Sequence, residues 1–260
     1  MLNASDIMVS AGGRVLLDSV SAAFDSGRLH LIVGPNGAGK STLVRVLARL
    51  LRPQAGGVSY GERGAEHWNE RELARHRAML SQTIEVAFPI PVRDLVMMGR
   101  YPHFSGRPNP VDDQICDEVM RYFEITDFAD RDYTTLSGGE RQRVNFARVL
   151  AQIWHPIKDC GRYLFLDEPL TFLDIRHQID FMKKVREFAS RPDVIVVGVV
   201  HDLNLATRFA DRLLLLHQGR ILANGNPSEV LTRGNLRAAF DVQPTLITDV
   251  VTGQTSVAFE

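Results

Sequence analysis

Short, wholly apolar runs alternate along the chain with longer stretches in which apolar positions recur every three or four residues. LHLIVG at 29–34 reads as a buried strand ending in a glycine turn, and KSTLVRVLARLL at 40–51 has the apolar spacing of a helix. RYLFLDEP at 162–169 and DVIVVGVVH at 193–201 are rich in Val, Leu and aromatic residues, and each closes on polar groups. They read as central parallel strands, with functional groups at the carboxyl ends, where open α/β sheets place ligands. Between these pieces, VRDLVMMGR (92–100), VDDQICDEVMRYFEI (111–125) and RQRVNFARVLAQIW (141–154) are helical patterns broken by YPHFSGRPNP. A helical insertion is therefore expected from Pro89 to about Pro156, with an exposed loop over 107–113. LNLATRFA (203–210) predicts a further helix, RLLLLHQGRILANG (212–225) a hairpin turning at Gln218-Gly219, and residues 244–260 a small strand pair.

Composition narrows the classes. A length of 260 residues suits one large domain or a core with a sizeable insertion. Apolar residues make up 45%, charged residues 23%, and the formal net charge is −1, which is ordinary for a soluble globular protein and carries no nucleic-acid footprint. The longest apolar stretches, such as VIVVGVV at 194–200, fall far short of the about 20 residues that cross a bilayer. MLNASDIMVSAGGR lacks a basic region followed by an apolar block, so residence in the cytosol is expected. Cys116 and Cys160 have neither CxxC nor Cys/His spacing and are expected to be ordinary buried or half-buried residues.

The candidate chemistry begins with GPNGAGKST, a full GxxxxGK[ST] phosphate loop made of Gly34, Pro35, Asn36, Gly37, Ala38, Gly39, Lys40, Ser41 and Thr42. Its glycines let backbone wrap phosphates, Lys40 reaches the terminal phosphates, and the Ser41 hydroxyl suits Mg²⁺. At the end of YLFLDEP, Asp167 suits the Mg²⁺ shell and Glu168 the orientation of an attacking water. His201, directly after VIVVGVV, can bridge the γ-phosphate and that water. Gln82, after the short run AMLSQ, is a candidate for Mg²⁺ or the water. A solvated turn is the minority alternative for Asp-Glu-Pro, and alone His201 reads as a structural residue; convergence with the phosphate loop turns both toward chemistry. A second anion grip, LSGGERQR at 136–143, places a serine and two glycines before helical residues.

Phosphate loop, Gln82, LSGGE (136–140), LFLDEP (164–169), Leu173-Asp174 and His201 occur in the order found in ABC-transporter ATPase subunits, which the chain resembles over nearly its whole length. The resemblance implies an α/β fold: a P-loop NTPase (RecA-like) core, an N-terminal antiparallel β region and an inserted α-helical subdomain. Residues 1–88 and 157–260 would form the nucleotide-binding core and 89–156 the helical subdomain of a single ABC ATPase domain.

It also implies a head-to-tail pair of copies sandwiching two ATP with Mg²⁺. Ser137, Gly138, Gly139 and Glu140 would then cap, in trans, the nucleotide held by the partner copy, and Asp174 would couple the two sites. Implied partners are two integral membrane permease subunits and, indirectly, a periplasmic substrate-binding protein, but no nucleic acid. The implied place is the cytoplasmic face of a bacterial inner membrane.

VRDLVMMGRYPH (92–103) is similar to a segment of siderophore, cobalamin and haem importers, and ARVLAQIW with LDIRHQ is most similar to bacterial haemin-importer ATPases. Siderophore or cobalamin import is the runner-up, and a soluble non-transport ABC ATPase the competing class. His103 and His177 fit no haem-ligand pattern. Two departures stand out: Ala11 where the family places an adenine-stacking aromatic, and Phe172 in the segment EPLTFLD, near the expected dimer seam.

Overall fold

Alternate residues of a strand point to opposite faces of its sheet, and this chain supplies apolar side chains to both faces of its central strands. The computed structural model describes residues 1–81, 86, 88–157, 160–171, 173–248 and 255–259. The chain opens with β1 (Leu2–Ala11), β2 (Arg14–Phe24), β3 (Arg28–Val33), α1 (Lys40–Leu47), β4 (Ala55–Tyr60), the two-residue β5 (Arg63–Gly64), α2 (Glu70–Ala74) and β6 (Arg77–Leu80). A helical stretch follows, with α3 (Val92–Met97), α4 (Pro110–Tyr122) and α5 (Gly138–Gln152). Then come β7 (Arg162–Asp167), α6 (Ile175–Ala189), β8 (Val194–Val199), α7 (Leu203–Phe209), β9 (Arg212–His217), β10 (Arg220–Gly225), α8 (Pro227–Val230), α9 (Arg233–Phe240), β11 (Pro244–Thr248) and β12 (Thr255–Phe259).

The main sheet runs β10-β9-β3-β8-β7-β6; all its pairs are parallel except the β9–β10 hairpin at one edge. An antiparallel sheet, β2-β1-β4-β5, forms the expected N-terminal β region. β7 and β8 are buried at every position, as strands covered on both faces must be. Leu29, Leu31, Leu164, Leu166, Val194 and Val196 enter the core shared with α3–α7. Their neighbours Ile32, Phe165, Ile195 and Val197 face the opposite core, with α1 and the antiparallel sheet. Cys116 is buried and Cys160 half-buried, both free. No helix among the described residues is long and apolar enough to cross a membrane.

The predicted elements are present, with two corrections. The first helix ends at Leu47, not Leu51, because Arg49 turns into the left-handed region (φ 54°) and the amides of Leu50 and Leu51 fold back onto the Arg45 carbonyl. The exposed loop ends at Asn109 instead of Asp113. Asn109 caps α4, Pro110 occupies its first position, and Asp112 closes a reciprocal capping box, so the Asn-Pro pair starts a helix there. The hairpin turns at Gln218 and Gly219, both at positive φ, as a two-residue turn matched to strand twist requires.

Candidate active site

Because β3, β8 and β7 are parallel neighbours, their carboxyl ends emerge side by side. The phosphate loop leaves β3, His201 follows β8 by two residues, and Asp167 and Glu168 end β7. The loop demands glycine at two points. A Cβ on Gly34 would sit 2.1 Å from the Leu216 carbonyl oxygen, and one on Gly39 would sit 2.4 Å from that of Leu16. Gly39, in the left-handed conformation, also precedes α1, whose first turn carries no acidic residue. Backbone N–H groups and the helix dipole therefore meet an incoming anion unopposed.

Lys40 is buried, with Nζ donating to the carbonyl oxygens of Gly34 and Pro35, each at 2.9 Å. Burial pulls its ammonium below the ordinary lysine range, while the Glu168 and Asp167 carboxylates oppose that pull. Asp167 is only 4% exposed, and its Oδ1 is buried without a hydrogen-bond partner among the described residues. Its Oδ2 lies 3.6 Å from Arg45 Nε. A buried carboxylate oxygen with no partner is costly unless something binds it. Together with the half-buried Ser41 at the start of α1, it makes an all-oxygen donor set that fits Mg²⁺.

Glu168 adopts a left-handed backbone (φ 52°), a conformation that costs about 1–3 kcal/mol for a non-glycine residue and clusters at functional sites. Its Oε1 lies 2.8 Å from His201 Nε2, so two residues chosen separately from the sequence meet directly. They line one cavity of about 240 Å³ together with Thr171, Gln178 and Asp202. Gln82, the fourth candidate of this set, lies outside the described residues.

The second anion grip is built differently. Ser137 caps α5 in a reciprocal box with Glu140, whose Oε2 accepts from the Ser137 amide and hydroxyl, each at 2.7 Å. Those bonds hold the Glu140 carboxyl below its usual range. Arg131 stands 3.5 Å from the other carboxylate oxygen. No hydrogen bond or ion pair among the described residues joins Ser137, Gly138, Gly139 or Glu140 to the phosphate loop. Asp174 caps α6 through the His177 amide and also binds the His177 ring, both of which lower its carboxyl. His103 bonds the Gln152 carbonyl, and burial pushes its imidazole down to about 4.

Two participants escaped sequence reasoning. Arg45 follows Ser41 by one helical turn, and that spacing was a usable signal for its place beside Asp167. Gln142, whose Nε2 donates to the Pro169 carbonyl at 2.7 Å, has a partner 27 residues away that no local pattern reveals.

A family profile described as ABC transporter matches residues 17–171. The chain is 40% identical to a protein of Escherichia coli O157:H7 named Hemin import ATP-binding protein HmuV, over 96% of this chain and 95% of that one. It is 46% identical to a protein of the same name from Gloeobacter violaceus, over 94% and 88%. Among solved structures, an inward-facing ABC transporter of a proposed metal-chelate type superposes with a TM-score of 0.83 at 25% identity, over 100% of this chain and 96% of the other. An ATP-binding cassette of an ABC transporter in its ADP conformation, 21% identical over 93% and 97%, shares the fold with a TM-score of 0.80. A match over more than half of the chain, joined to near-full-length likeness at 40% identity and above, makes this chain a member of the ABC transporter family.

Proposed function

We propose that the chain is the ATP-hydrolysing subunit of a haem importer, acting as a head-to-tail pair of copies around two ATP at the cytoplasmic face of a bacterial inner membrane. The observation that carries the ATPase reading is the convergence of Lys40, Asp167, Glu168 and His201 on the ends of three adjacent parallel strands. ATP hydrolysis needs a phosphate cradle, a cation site and a water-orienting carboxylate, and these residues supply one of each.

On ATP binding, Lys40 exchanges the carbonyls of Gly34 and Pro35 for phosphate oxygens, a trade that keeps its buried charge hydrogen-bonded. The loop residues from Gly34 to Thr42 enclose the phosphates. Ser41 and Asp167, with Gln82, would hold Mg²⁺, which would supply charge neutralisation at the phosphates. Glu168 orients the attacking water. His201, already bonded to that carboxylate, bridges it toward the γ-phosphate. The start of α5 reads best as a grip for a second copy's nucleotide, since no hydrogen bond or ion pair among the described residues connects it to the chain's own loop. Ser137, Gly138 and Gly139 would offer hydroxyl and backbone N–H groups to that phosphate, Glu140 would hold Ser137, and Asp174 would couple the two sites. Residues 89–156 would then carry the grip as a subdomain set against 1–88 and 157–260.

Haem as cargo rests on the relatives in E. coli and Gloeobacter that are named for hemin import. Two membrane permease subunits and, indirectly, a periplasmic binding protein complete the assembly, with no nucleic acid. The likeness to a metal-chelate type transporter favours ferric-siderophore or cobalamin import as the second reading. The test is uptake into proteoliposomes holding the chain with its copurifying permease, offered haem-loaded and siderophore-loaded binding proteins, with Glu168→Gln as control. ATP-dependent haem accumulation that the substitution abolishes supports the reading; siderophore accumulation instead overturns the cargo and keeps the ATPase.

A further inference from the structure

We propose that His177 is a positioning residue that locks Asp174 to Gly139, so that the starts of α6 and α5, both presented to a second copy, move as one body. The proposal rests on the dimer reading above and adds a residue to it.

His177 sits in the first turn of α6, between Asp174 and Gly139. Its Nδ1 lies 2.8 Å from Asp174 Oδ1. A carboxylate only accepts, so Nδ1 carries the proton and Nε2 faces the other way. On that other side is Gly139, where an ideal Cβ would come 2.9 Å from Nε2 and 3.1 Å from Cδ2 of the ring. The imidazole edge thus occupies the space that a side chain at position 139 would need. A side chain at 139 would therefore have to push the imidazole aside, away from its place beside Asp174.

The same bracket is fastened elsewhere. Gln142 Nε2, one turn into α5, donates to the Pro169 carbonyl at 2.7 Å, and Gln178 Nε2 on α6 donates to the Leu173 carbonyl at 3.0 Å. The segment after Glu168 is therefore bonded at Pro169, Leu173 and Asp174 by side chains of α5 and α6; Phe172 lies outside the described residues. Asp174 itself is exposed, so without the imidazole its carboxylate is held only by backbone amides of the first turn of α6, those of His177 and Arg176, among the described residues. A misplacement of about 1 Å in such a group is enough to slow a reaction substantially.

The role separates into two contacts that substitutions remove individually. His177→Asn keeps a donor where Nδ1 stands, His177→Phe keeps a ring against Gly139 without the donor, and His177→Ala removes both. Melting temperature and ATP binding to dilute single copies should match wild type in all three, because Lys40 and the phosphate loop are untouched. The expected result is a kcat about tenfold lower in the alanine variant, with the phenylalanine and asparagine variants, each lacking one of the two contacts, falling between it and wild type, and KM within about twofold throughout. Wild-type kcat in His177→Ala overturns the proposal. So does a loss of turnover that tracks a drop in melting temperature, which would make His177 a plain helix-cap residue. Wild-type protein that shows no ATP turnover at any concentration refutes the dimer ATPase reading itself, and this inference falls with it.

Discussion

The two phosphate grips solve the same problem with opposite economies of burial. At the end of β3, the loop's lysine is buried against backbone carbonyls and faces a carboxylate whose Oδ1 has no partner among the described residues. At the start of α5, Ser137 and Glu140 satisfy each other at the surface through their capping box. The first grip is strained and electrostatically incomplete alone, which favours binding a charged ligand in place. The second is complete alone and presents small residues outward, which favours meeting a ligand that arrives already held. On the proposed dimer reading, the difference teaches that one chain divides holding ATP from recognising it.

The largest effect should come from the strained side. Glu168→Gln keeps the shape and removes the charge proposed to orient water, so turnover should fall about 10²–10⁴-fold while ATP binding persists and nucleotide-bound dimers accumulate on size exclusion. Unchanged turnover would remove Glu168 from catalysis and dissolve the contrast between the grips.

Next comes the support of the α5 grip. Arg100 and Asp112 form a buried pair at 3.0 Å, and Arg100 also donates to the Ala151 carbonyl, tying the start of α4 to the end of α5. Arg100→Met should destabilise the protein by about 3–5 kcal/mol in denaturant titration, because it leaves the Asp112 charge buried without a counter-charge, held only by the Asn109 amide among the described residues. Arg100→Met with Asp112→Leu should recover much of that loss.

The smallest effect is a pH dependence of the same region. His103 is neutral in the fold, its imidazole pushed down to about 4 from the usual 6.5, so the unfolded chain binds the extra proton between those values. The sign follows: this histidine costs stability as pH falls from 6.5 toward 4 and is silent above. His103→Asn should lessen the fall in melting temperature over that window only, the rest remaining with His30 and His76, whose imidazoles burial also lowers.

The strand-end chemistry was legible because wholly apolar runs closing on Asp167, Glu168 and His201 announce buried parallel strands with polar ends. The β9–β10 hairpin was legible from Gln218-Gly219. What escaped was tertiary. The bond between His201 and Glu168 joins two strands 33 residues apart in sequence, and the contact of His177 with Gly139 joins two helices. The early stop of α1 came from Arg49 folding back against an otherwise continuous helical pattern, and the early start of α4 from capping by Asn109, which the Asn-Pro break disguised as a loop. Ala11, where an aromatic was expected, ends β1 with an exposed side chain, and nothing in the structure explains the choice.

The division of labour is tested most directly by single cysteines placed on separate copies. In a background with Cys116 and Cys160 changed to serine, a chain carrying Asn36→Cys is mixed with one carrying Ser137→Cys, both also Glu168→Gln, under mild oxidation. A disulfide needs Cα atoms within about 7 Å, so it reports true apposition of one copy's exposed phosphate-loop tip and the other's α5 cap. The account predicts a disulfide-linked dimer that forms with ATP and is absent without it. A mixture that stays monomeric with ATP bound would contradict it.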